Sequence, residues 1–100
     1  MYKSRFKDEK IDRLFDAMLT LKNHEDCYRF FEDLCTIAEL KSLAQRMQVA
    51  EMLYENRSYN AIAEESGAST ATISRVKKCV NYGADGYKLV IENLSKENHK

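Results

Sequence analysis

Between Ser69 and Tyr82 the chain carries three cations, Arg75, Lys77 and Lys78, and no acid. Short side chains interleave with them: Thr70, Ala71, Thr72 and Ser74. At helical spacing Ile73, Val76 and Val80 share one face, and Thr70, Ala71, Thr72, Ser74 and Lys78 lie opposite. Small hydroxyls and an alanine let a helix approach base edges and thymine methyls closely, while longer cations reach phosphates. The chemistry in view is therefore recognition of a DNA duplex, with no bond made or broken. Ser, Thr and Lys are also ordinary surface residues, so this reading depends on what holds the segment.

The residues upstream supply that support. Gly67 can adopt the φ > 0 needed where two helices meet at a sharp angle. Ala63, four residues earlier, is small enough for the second helix to cross closely over the first. Ile62, Ala68, Ile73 and Val76 provide the apolar contacts that lock such a pair. Together they predict a helix-turn-helix over residues 58–82, with helices at Ser58–Ser66 and Ser69–Tyr82 and with Ser69 or Thr70 as the second N-cap.

The rest of the chain reads as the frame for this motif. Ile11, Leu14, Phe15, Met18 and Leu19 recur at helical spacing and predict a first helix from Asp8 to Lys22. Asn23 and His24 interrupt the pattern. Cys27, Phe30, Phe31 and Leu34 then mark a second helix, Glu25–Leu34. Thr36 followed by Glu39 is a capping-box signature for a long third helix ending near Asn56. Its apolar residues cover a wide arc, as in a helix packed from several sides. Gly83 closes the recognition segment, and Tyr87, Val90, Ile91 and Leu94 mark a sixth helix over 85–95. The tail Ser95–Lys100 is expected to fray, and Lys3, Arg5 and Lys7 to form a mobile basic arm.

No proline, three glycines and 32% charged residues favour an all-α fold in one domain of 100 residues. Formal net charge is zero, but its distribution is uneven. Residues 23–56 hold seven acids and three bases, whereas residues 57–82 hold four bases and two acids. Positive charge thus gathers in the motif, as in a reader that relies on contact geometry more than on bulk charge. No apolar run approaches the roughly 20 residues that span a bilayer, and the amino-terminal residues lack a signal-peptide core. The expectation is a cytoplasmic protein without a membrane partner. Cys27, Cys35 and Cys79 lack metal-ligand spacing and are expected to be reduced, partly buried thiols.

The first three helices present Phe15, Met18, Leu19, Phe30, Phe31, Leu34 and Leu40, more than a small motif covers. Residues 8–56 are therefore expected to form a homodimer interface that sets two recognition helices roughly 34 Å apart. A compact monomer is the plainer alternative. A second reading of function makes the helical pair a contact for polymerase or another regulator. An enzyme is disfavoured, because His24 and His99 stand far apart and no glycine loop cradles phosphate.

LCTIAELKSLAQRMQVAEML and ESGASTATISR give these features a family likeness, strongest from Leu34 to Val80. There the chain resembles the Trp repressor superfamily, and as a whole its YerC/YecD branch. The resemblance implies an intertwined, all-helical homodimer on a two-fold-symmetric operator in double-stranded DNA. It places base-edge contacts on Asn60, Thr70, Ala71 and Ser74, and phosphate contacts on Thr72, Arg75, Lys77 and Lys78. It also implies a corepressor site, with Arg46 and Arg75 around the ligand and Asp33, Cys35 and Thr36 near its amino group. No cofactor is required by the residues themselves. Where the family has glycine after the second arginine this chain has Val76, and where it has serine this chain has Cys79. Three added heavy atoms overfill a close site, so Val76 argues against tryptophan as the corepressor.

Overall fold

A computed structural model describes residues 2–98, which form helices α1 (Glu9–Met18), α2 (His24–Leu34), α3 (Ile37–Tyr54), α4 (Tyr59–Ser66), α5 (Thr70–Tyr82) and α6 (Gly86–Asn98). The described residues are thus all-α. Their packing divides into two compact units, residues up to Ile37 and residues from Ala38 onward.

In the amino-terminal unit, α1 begins where the Asp8 carboxylate accepts from the Lys10 and Ile11 N–H groups, at 3.0 and 3.2 Å. It stops four residues before the expected Lys22. Thr20 and Leu21 bond back three residues, to Ala17 and Met18, and the Thr20 hydroxyl also donates to the Ala17 carbonyl at 2.7 Å. These shorter loops tighten the chain and end the α-helical ladder. Asn23 caps α2 by accepting from the Asp26 N–H at 2.9 Å, so the pattern break is a helix start. Neither helix contains a buried residue. Phe15, Leu19 and Leu34 remain 51%, 84% and 48% exposed. The expected free basic arm is partly tied: Lys7 pairs with Asp12 at 2.5 Å, and the Arg5 guanidinium sits 4.7 Å from the Phe6 ring centre.

In the carboxy-terminal unit one core joins α3, α4 and α5. Val49, Ala50 and Met52 of α3 meet Ile62, Ala68, Ile73 and Val76, with Leu53, Ala63, Val80, Tyr87 and Ile91 around them. The wide apolar arc predicted for α3 is buried only in its second half. Leu43 is 44% exposed and Ile37 68%.

Helix α3 ends at Tyr54, short of Asn56, because Asn56 takes a left-handed φ of 60°. The Arg57 N–H reaches the Met52 carbonyl and the Asn56 N–H reaches that of Leu53, both at 3.1 Å. This is a Schellman closure with asparagine at the left-handed position. Helix α6 runs to Asn98, so residues 95–98 continue the helix where fraying was expected. Cys27 and Cys79 are exposed and only Cys35 is half-buried, which corrects the expectation for these free thiols. No helix among the described residues is long and apolar enough to cross a membrane.

Candidate nucleic-acid interface

The helix-turn-helix is assembled by caps at both ends and a lock beneath. The Ser58 hydroxyl accepts from the Ala61 N–H at 3.1 Å and starts α4. Gly67 ends it with φ 71° and ψ 7°, and its N–H returns to the Ala63 carbonyl at 3.0 Å. The Ser66 hydroxyl donates to the Ile62 carbonyl and accepts from the Ala68 N–H, at 2.5 and 3.1 Å. One side chain thereby serves both sides of the turn. Ser69, of the two candidate caps, begins α5, accepting from the Thr72 N–H and donating to the Thr72 hydroxyl, each at 3.1 Å.

Beneath the turn Ile62, Ala68, Ile73 and Val76 are 0%, 6%, 1% and 1% exposed. These are the four lock positions read from the sequence. Val76 is therefore a core residue. Burying side chains of this size contributes about 1.5–3 kcal/mol each, enough to fix how α5 lies on α4.

The opposite face of α5 is open. Thr70, Ala71, Ser74, Arg75, Lys77 and Lys78 are exposed, as is Asn60 on α4, and Thr72 is half-buried beside its cap. Among the described residues, the ion pairs engage Lys7, Arg29 and Arg57 and leave Arg46, Arg75 and Lys78 out. Lys77 differs from its neighbour: its ammonium lies 5.1 Å from the ring centre of Tyr59, the first residue of α4. Of the proposed corepressor residues, Arg46 (half-buried) and Arg75 belong to the carboxy-terminal unit and Thr36 to the other. No group of three or more His, Cys, Asp or Glu among the described residues could hold a metal, and His99 lies outside those residues.

Three further residues position the motif and went unread in the sequence. The Gln45 amide on α3 donates to the Ser66 carbonyl at 3.1 Å and holds the end of α4 from outside. Arg57 bonds to Glu65 and approaches Glu55 at 3.9 Å, bracing the start of α4 against its end. That hydrogen bond, and then the charge of Glu65, raise the Arg57 pKa above its ordinary value. Tyr59 is the third. Each residue type was visible, but the partners of Gln45 and Tyr59 depend on how the helices cross, and those of Arg57 on the turn that leads into α4.

Comparison with known proteins agrees with this architecture. The family model described as Trp repressor protein matches residues 9–95. The uncharacterized protein YerC of Bacillus subtilis (strain 168) is 53% identical over 90 residues, covering 90% of this chain and 86% of that protein. Two crystal structures superpose with a TM-score of 0.88. One is a candidate Trp repressor from Staphylococcus aureus, 49% identical, with 91% of each chain covered. The other is a TrpR-like protein from Eubacterium eligens ATCC 27750, 54% identical, with 91% of this chain and 94% of that one covered. With its helix-turn-helix locked by buried residues at the positions its sequence marks, this chain belongs to the Trp repressor family.

Proposed function

We propose that this chain is a sequence-specific DNA-binding transcription regulator of repressor type, acting in the cytoplasm as a homodimer on a palindromic operator. The observation that carries the reading is the division of α5 into two faces. Ile73 and Val76 are buried to 1% exposure, while Thr70, Ala71, Ser74, Arg75 and Lys78 stand free on the other side. A helix so held can enter a major groove without disturbing its own core. Asn60, Thr70, Ala71 and Ser74 then read base edges, and Thr72, Arg75, Lys77 and Lys78 contact phosphates.

Apolar surface that the chain leaves open supports the homodimer. Phe15, Leu19, Leu34 and Ile37 are 51%, 84%, 48% and 68% exposed. Surface of this kind is costly in water and is relieved by a second copy.

Tryptophan is not part of this reading. Val76 occupies core space where the resemblance puts glycine, and a corepressor held by Arg46 and Arg75 would be a different small molecule. Selection from a pool of random duplexes at low and moderate salt tests the proposal. An enriched palindrome with half-sites about one helical turn apart is the expected outcome. Failure to enrich any sequence at low salt overturns it and turns attention to a protein partner.

A further inference from the structure

The sequence presents Lys77 and Lys78 as equivalent phosphate contacts, but the structure separates them. Lys77 places its ammonium 5.1 Å from the Tyr59 ring centre, and Lys78 has no such rest. Eighteen residues separate Tyr59 from Lys77, so the contact ties the first turn of α4 to the middle of α5 across the motif. We propose that Tyr59 is a positioning residue for DNA binding, holding the Lys77 ammonium in place to meet a backbone phosphate. The proposal rests on the DNA-binding reading above.

The physical reason lies in side-chain freedom. A lysine has four rotatable bonds and gives up much rotamer freedom when its ammonium is fixed on a phosphate. An aromatic face attracts the cation and narrows its range before DNA arrives, so less freedom is lost on binding. Tyr59 is 39% exposed, which keeps the resting place at the surface, beside Asn60 and within the proposed contact zone. The ring covers one side of the ammonium, and Lys77 stays exposed on the other. Lys77 thus serves as a prepared contact, and Lys78 as one that pays its ordering cost on the DNA.

The test is a double-mutant cycle on the selected operator, with salt titrations and melting curves for each variant. Tyr59→Leu should weaken binding about two- to five-fold, the scale of an exposed cation–π contact. It should lower the melting temperature by only a few degrees and leave the salt slope nearly unchanged, because Lys77 still neutralises its phosphate. Lys77→Met should lower the salt slope by about one ion. In the Lys77→Met background, Tyr59→Leu should then have no further effect. Tyr59→Phe should rescue binding, since it keeps the ring.

Equal losses from Tyr59→Leu with and without Lys77 would overturn the proposal, as would binding unaffected by Tyr59→Leu. A loss in Tyr59→Phe matching that in Tyr59→Leu would do the same and assign the contact to the phenol hydroxyl. Wild-type protein that binds no duplex at low salt would instead remove the reading on which the proposal rests.

Discussion

The Gln45 side-chain amide donates to the Ser66 carbonyl at 3.1 Å, so α3 grips the motif at the last residue of α4. Ser66 closes the turn from its own side with its hydroxyl, and Gln45 fixes that closure to the body of the unit. Gln45→Leu removes the donor while keeping the bulk and leaves a half-buried carbonyl without this partner. Urea unfolding should show a loss of about 0.5–1.5 kcal/mol. Operator affinity should fall as well, because the angle of the motif on α3 is less well fixed. Unchanged stability would show the bond to be incidental.

Gly67 calls for a backbone argument instead. Its φ is 71°, and a methyl group built there would meet nothing nearer than Gln45 Nε2 at 3.9 Å. The cost of Gly67→Ala is therefore conformational strain with little crowding, about 1–2 kcal/mol. Gly67→Asn should be milder, since asparagine tolerates this region. Calorimetric melting of the two variants should place them in that order. Gly83 is different: a Cβ there would collide with the Cys79 carbonyl, so its alanine variant disturbs the end of α5 by contact.

Val76 separates core duty from ligand binding. Val76→Gly removes three buried carbons and puts glycine inside a helix, a loss of about 3 kcal/mol or more. Addition of tryptophan should leave the melting curve and the operator affinity of the wild type unchanged. A rise in melting temperature with ligand concentration would reverse that conclusion, because any ligand specific to the folded state must raise it.

Lys78→Ala should weaken binding to every duplex by a similar factor and flatten the salt dependence by about one ion. Its stability should move by no more than about 0.5 kcal/mol, as expected for an exposed position. An unchanged salt slope would remove Lys78 from the backbone contacts.

Legibility in the sequence followed distance along the chain. The turn is local, so Gly67 and the apolar residues at 62, 68, 73 and 76 could be placed by spacing alone. Helix starts at Asp8, Ser58 and Ser69 depend on bonds across two or three residues, and they too were within reach. Helix α1 was overextended because the competing bonds of Thr20 and Leu21 look like more helix in an apolar pattern. Gln45 with Ser66 and Tyr59 with Lys77 stayed hidden for another reason. These partners stand 21 and 18 residues apart, and only the crossing of helices brings them together. Partial burial of α3 was also out of reach, since periodicity marks an apolar residue without saying what covers it.

The two faces of α5 are held by different physics, and this bears on how such a protein can change. What orients the helix is the packing of Ile62, Ala68, Ile73 and Val76 against α3, the caps at Ser66 and Ser69, and the contacts of Gln45 and Tyr59. Thr70, Ala71 and Ser74 contribute nothing to that support. If α5 reads DNA as proposed, substitutions at these three positions alter which base pairs are preferred at almost no expense in folding. Relatives built on the same lock are thus free to diverge in the DNA they address while keeping one shape. Regulatory targets can drift faster than the fold that reads them.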